Sequence, residues 1–291
     1  MTAPLSAALL TAPLSAALLT APLSAALLTA PALMSGVFAA KLVLVPSLIA
    51  AITLAGVRFG PRVAGALTGF PVVAGPIVFF MALEQGAPFA ARSAVATLSG
   101  IASLGVFGVL YAWMAARASW AVSVVVGWLG FLGATLVFDR LDLRLAAAAA
   151  LAVVVPLVML ALIPRPERIA TNGPVGATIG TTEILLRMLA GVMLMLVLTG
   201  IAHVLGPRLS GLLTVFPIAA TVLAVFSHRQ QGAAFAAQLL RGLALGLYSL
   251  SGFFTTLAIM LEPWGLAPAF LAAIAAAIGA QLVVLNLQSQ A

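Results

Sequence analysis

Charged side chains cut this chain into apolar runs of nearly constant length. The first runs from about Val37 to Val57, with Lys41 near its entry. Others lie between Arg62 and Glu84, then at Ser93–Ala116, Ala118–Phe138 and Leu145–Pro164. After a polar, turn-rich link come Met188–Pro207, Leu209–His228, Gly242–Leu261 and about Pro263–Leu287. A helix crossing a bilayer needs about 20 predominantly apolar residues, so the pattern predicts nine transmembrane helices. A tenth is expected only if residues 1–33 insert. That segment holds the nonamer TAPLSAALL three times, with prolines at Pro4, Pro13, Pro22 and Pro31. It lacks the positive start of a signal peptide and its prolines break helical hydrogen bonding. It is expected to be dispensable or disordered, with Met34 as an alternative start. The organisation read from the runs is residues 34–164, a linker at 165–183, and 184–291.

The runs are not independent. GPRVAGALTGFP, Gly60 to Pro71, recurs as GPRLSGLLTVFP, Gly206 to Pro217, displaced by 146 residues without a gap. Carried on to Phe107 and Phe253, the register holds 20 identities in 48 positions. They include Gln85-Gly86-Ala87 with Gln231-Gly232-Ala233, and Gly100, Ser103 and Leu104 with Gly246, Ser249 and Leu250. Upstream, Lys41 falls opposite Arg187. This is an internal duplication. Its first span corresponds to the sixth, and an odd displacement sets the copies in opposite orientations. The fold class expected is therefore all-α: a polytopic membrane protein of nine or ten helices in two inverted-topology repeats.

Composition narrows the function. The chain is 64% hydrophobic and 7% charged, against roughly 45–50% and about 25% in soluble domains. Its net charge of +7 is spread singly between apolar runs, which argues against nucleic-acid binding. Loops on one side collect Arg58, Arg62, Arg117, Arg165, Arg168, Arg187 and Arg229; the other side collects Lys41, Arg92, Arg140, Arg144 and Arg208, with Arg241 unassigned. Seven against five makes the first side cytoplasmic and puts the C-terminus there, as a multi-pass protein of a bacterial inner membrane. No cysteine is present, and His203 and His228 have no acid or His at metal-ligand spacing. No catalytic residue, metal or cofactor is expected. Ser251 with His203 is the one nucleophile–base pair weighed, and nothing in the sequence supports it.

The repeated motif carries the site. In each copy a cationic entry, Gly60-Pro61-Arg62 or Gly206-Pro207-Arg208, leads through Gly65 or Gly211 to a Phe-Pro step. Pro71 lies nine residues past Arg62, about 13 Å along a helix, near the middle of a core about 30 Å thick. Proline lacks an N–H, so the carbonyls of Leu67 and Leu213 are expected to lose their helical partners. Paired broken helices in corresponding positions point to a transporter's central site. The candidate lining is Thr68, Phe70, Pro71 and Ser103 from one half and Thr214, Phe216, Pro217 and Ser249 from the other. All six acids map to loops or span ends, so no buried carboxylate is available for a proton relay. The function expected is a permease for a small solute, with the lipid bilayer as its surroundings. The alternative is a non-transporting scaffold for envelope or exopolysaccharide assembly.

PRLSGLLTVFPIAATVLAVF followed by QQGAAFAAQLLRG resembles the GlpM-like bacterial inner-membrane family. PRVAGALTGFPVVAGPIVFFMALEQG is similar to a set of bacterial multi-pass membrane proteins with a GFPVVAGP signature. The likeness covers 40 to 50 residues per half. It implies a membrane location, an ancestral unit of about half this length, and a link to alginate-type exopolysaccharide production. It carries no catalytic or binding residue.

Overall fold

The computed structural model describes residues 36–71, 74–165, 180–202 and 212–289. The nonamer repeats, most of the linker, His203, and the second-copy residues Gly206, Pro207, Arg208 and Gly211 lie outside the described residues. Contacts divide the chain into two units, Met1–Leu42 and Val43–Ala291; the packing that positions the site lies within the second.

The described residues are all-helical. In order they form α1 (Gly36–Phe59), α2 (Pro61–Gly69), α3 (Ala74–Gln85), α4 (Ala87–Ala115), α5 (Trp120–Leu141) and α6 (Leu145–Leu162). After the linker come α7 (Thr181–Ala202), a turn of helix at 212–214, α8 (Ile218–Gln231), α9 (Ala233–Trp264) and α10 (Leu266–Ser289). Local chemistry sets several boundaries. Pro61 opens α2, where its missing N–H costs nothing. Gly86 (φ 87°) separates α3 from α4, and Gly232 (φ 88°) separates α8 from α9. A side chain disfavours that left-handed backbone and glycine does not.

These boundaries recur at the repeat displacement. α3 and α8 end at Gln85 and Gln231, α4 and α9 begin at Ala87 and Ala233, and α5 and α10 begin at Trp120 and Leu266. The duplication thus continues past Phe107 and Phe253, through helices whose sequences have diverged.

Seven segments among the described residues are long and apolar enough to cross a membrane: Pro61–Leu83, Ala87–Ala115, Trp120–Leu141, Leu145–Leu162, Leu212–Gln231, Ala233–Trp264 and Leu266–Leu287. The two other expected spans fall on α1, whose qualifying part is the shorter Pro46–Phe59, and on α7. Burial separates the helices into layers. In the apolar stretch of α4, 78% of residues are buried, against 17% in α10. The outer helices expose Val125, Leu129 and Leu136 on α5, Val153 and Leu157 on α6, and Leu271 and Leu282 on α10. So much contiguous apolar surface is a liability in water and is what acyl chains require. This is a membrane-embedded helical protein.

Glycine sets the closest contact in the bundle. Gly65 and Gly69 on α2 face Gly242 and Gly246 on α9, each pair spaced by four residues and therefore on one helix face. A methyl on Gly242 would collide with the Arg62 carbonyl, and one on Gly246 with the Ala66 carbonyl. A methyl on Gly69 would lie 2.6 Å from the Leu243 carbonyl. Small residues let membrane helices approach to backbone contact. Because Arg62 meets Gly242 and Gly69 meets Gly246, α2 and α9 run in the same direction.

Candidate functional site

Both Phe-Pro steps interrupt their helices. α2 ends at Gly69, and Phe70 turns to extended backbone (φ −72°, ψ 151°) ahead of Pro71. In the second copy Pro217 sits at φ −73°, ψ 52°, and the Ile218 N–H reaches back 2.7 Å to the Phe216 carbonyl. That is an inverse γ-turn. The expectation of freed carbonyls is corrected at this point. Leu67 accepts from the Phe70 N–H at 3.2 Å, and Leu213 accepts from the Phe216 N–H at 2.9 Å. Each helix tightens its last turn to a three-residue hydrogen bond, a common way to satisfy an end. The proline oxygens restart the chain, with Gly75 N–H on Pro71 at 2.9 Å and Thr221 N–H on Pro217 at 2.7 Å.

The two breaks face one another across a cavity of about 40 Å³. Thr68 and Phe70 line it from the first half; Thr214, Phe216 and Pro217 line it from the second. Four repeat-related pairs contribute to its wall: Thr68 with Thr214, Phe70 with Phe216, Ala74 with Ala220, and Leu104 with Leu250. The last two pairs were not among the candidate lining residues, although both are identities in the repeat register. Ala219 and Ala220, which precede Thr221, the first residue of α8 to find a helical acceptor, also line the cavity. The volume admits a water molecule or a solute of a few atoms.

Pro71 is buried at the break but does not line the cavity. Ser103 and Ser249 do not line it either. Their chain neighbours Leu104 and Leu250 do, one residue and about 100° round the helix. Ser249 is fully buried and donates to the Gln281 side-chain Oε1 on α10 at 2.6 Å, a helix–helix bond. Its counterparts at the repeat displacement are Ser103 and Thr135. Both hydroxyls are buried without a hydrogen-bond partner.

A sheath of aromatic rings supports one break. Phe216 packs edge-on against Phe131 at 5.2 Å and tilted against Trp128 at 5.7 Å. The Trp128 indole N–H donates to the Thr221 hydroxyl at 3.0 Å. Both rings come from α5, and their repeat positions on α10 are Ile274 and Ala277, so no periodicity announces them.

Several polar residues outside the cavity have structural partners. Arg241 donates to the carbonyls of Leu160 and Ile163, both at 2.8 Å, at the C-terminus of α6. The Trp113 indole N–H takes Leu162 at 2.8 Å. A cation there satisfies orphan carbonyls and complements the helix dipole. Arg187 is buried, pairs with Glu183 one turn back and lies 4.9 Å over the Phe226 ring. Ser251 donates to Ala152 at 3.0 Å and Leu247 at 2.8 Å; His203 lies outside the described residues.

No family model, no curated protein and no solved structure matches this chain.

Proposed function

We propose that the chain is a bacterial inner-membrane transporter of a small, uncharged solute, built as two inverted repeats that alternate access to a central site. The observation that carries this reading is the cavity between the two Phe-Pro breaks, walled by four repeat-related pairs. A site on the relation between two halves is one that both halves can expose in turn. Among the described residues no Asp, Glu, Lys, Arg or His lines it, and an unpaired charge in so dry a space costs several kcal/mol, by order of magnitude. A neutral solute of a few atoms fits these walls, oriented by the Thr68 and Thr214 side chains and the first-turn amides of α8.

The inverted arrangement is supported by helix direction. α2 and α9 run the same way, and α9 turns back along α8 at Gly232, so α2 and α8 run oppositely. Between them the chain crosses as α4, α5 and α6. Three crossings alone would leave α2 and α8 parallel, so α7 supplies a fourth. With α1 this makes nine spans, four on either side of α6. Arg241, held at the end of α6 that adjoins the linker, joins the more basic face. Eight cations then stand against five, which favours that face, and the C-terminus with it, as cytoplasmic.

The test is uptake by cells carrying Pro71→Ala and Pro217→Ala together, at matched abundance in the membrane. The substrate is first sought by screening neutral solutes for thermal stabilisation of the purified protein, since a ligand selective for the folded state raises its stability. Loss of uptake is expected. Unaltered uptake in the double variant would sink the reading.

A further inference from the structure

We infer that Ser103 and Thr135 bind one water molecule between α4 and α5, where α9 and α10 are joined by a direct side-chain bond. The site stands apart from the cavity and does not depend on the transporter reading.

The two helix pairs pack in the same register, and all four helices are described along the lengths that matter. A methyl on Gly130 would lie 3.2 Å from Val106 Cγ1, and a methyl on Gly252 would lie 3.3 Å from the Ala276 carbonyl oxygen. Val106 with Gly130 becomes Gly252 with Ala276 on a shift of 146 residues, so these are one contact seen twice. Three residues back from Val106 and five on from Gly130 stand Ser103 and Thr135. The same steps from Gly252 and Ala276 reach Ser249 and Gln281. In the second half that pair is bonded, Ser249 donating to Gln281 Oε1 at 2.6 Å. In the first half both positions carry hydroxyls, fully buried at Ser103 and 4% exposed at Thr135. Neither has a hydrogen-bond partner among the described residues.

Side-chain length accounts for the difference. Glutamine carries its oxygen on Cδ and threonine on Cβ, so Thr135 stops short of where Gln281 reaches. Nor do these hydroxyls fold back on their own helices. Thr68, Thr97, Ser123, Ser251 and Thr256 each donate to the carbonyl four residues earlier, a common refuge for a hydroxyl within a helix. Ser103 and Thr135 forgo it. A buried hydroxyl left unpaired carries its whole desolvation penalty, and hydrocarbon offers nothing to relieve it. Water both donates and accepts, and two polar partners are the least that a buried water takes. A cation fits worse, because two neutral hydroxyls bring no charge to offset its desolvation. α4 carries Leu104 of the cavity wall and α5 carries Phe131 of the aromatic sheath. The water thus joins the two helices beside the second break.

Release of an ordered water offsets bonds lost with it, so the test reads position rather than melting. Crystal structures that show ordered water are determined for the full-length protein and for Thr135→Gln. The unaltered chain is expected to show one peak at about 2.8 Å from both Ser103 Oγ and Thr135 Oγ1. In Thr135→Gln the peak is expected to be gone, with the new carboxamide taking the Ser103 hydroxyl as Gln281 takes Ser249. Absence of a peak in the unaltered chain overturns the inference, as do hydroxyls bonded to each other or to the Ser99 and Phe131 carbonyls. A peak that gives anomalous signal in rubidium salt is a cation and overturns it too. Should Thr135→Gln fail to accumulate, Thr135→Val keeps the shape without the hydroxyl. The peak is then expected to vanish, and one that persists beside Ser103 overturns the shared site. Uptake plays no part in these readouts, so the water site and the transporter reading stand or fall separately.

Discussion

The two Phe-Pro breaks share a motif, a register and a cavity, yet they are held in different ways. The first is held by its backbone: α2 lies on α9 through four glycines, and no ring contact involves Phe70 among those described. The second combines a backbone contact, Gly100 on the Leu212 carbonyl, with side chains: Phe216 sits among Trp128 and Phe131, and its proline closes a γ-turn. Backbone contact through glycine has almost no slack, because the collision is with main-chain atoms. A contact made by aromatic rings can be remade in another rotamer or offset. The second break therefore has an adaptable aromatic sheath that the first lacks among the described residues.

The comparison can be broken most severely at the aromatic sheath. Phe131→Ala is expected to cost about 3–5 kcal/mol, seen as a large fall in the thermal midpoint in detergent. The repeat-equivalent position is already Ala277, so the first break has no corresponding vulnerability. Next come the counterpart glycines. Gly246→Ala is expected to cost about 3 kcal/mol because its methyl meets only main-chain atoms, and Gly100→Ala about 2 kcal/mol because one of its two closest atoms, the Val215 methyl, can move while the other, the Leu212 carbonyl, cannot. Equal losses would show that the two seams do not differ in rigidity.

Arg241→Met should be smaller, about 1–3 kcal/mol, from leaving carbonyls at the end of α6 unpaired. An unchanged melting curve would mean that water replaces the guanidinium. The finest test is the serine pair. Ser249→Ala loses its bond to Gln281, an interaction of about 0.6 kcal/mol between membrane helices. Ser103→Ala removes a hydroxyl with no partner among the described residues and is expected to be neutral or slightly stabilising.

Much of this was legible in the chain because it is written in residues with backbone consequences. Gly60, Pro61, Arg62 and Pro71 mark a helix start, a boundary and a break whatever surrounds them, so both interruptions and seven of the expected spans follow from the string. That the breaks meet followed from their pairing. What stayed hidden depends on rotation about a helix axis or on distant partners. Ser103 and Leu104 are neighbours in sequence, and nothing in so uniformly apolar a segment says which of them faces the cavity. The carbonyls of Leu67 and Leu213 were expected to be free because the four-residue bond is lost; the three-residue alternative is a choice made in space. Trp128 and Phe131 have no echo in α10, so the register could not point to them.

α6 lies between the two matched sets of helices, and it has a consequence of parity. Four crossings repeated head to tail return the chain to its starting face, so a plain tandem duplication would give two halves of the same hand. One added crossing reverses the second half. On the proposed topology α6 is that added crossing, and both halves grip it: α9 through Arg241 and Ser251, α4 through Trp113. A separate four-crossing unit could form the same pair only by inserting into the membrane both ways up. The covalent link through α6 replaces that chance with a fixed one-to-one ratio of orientations in every molecule.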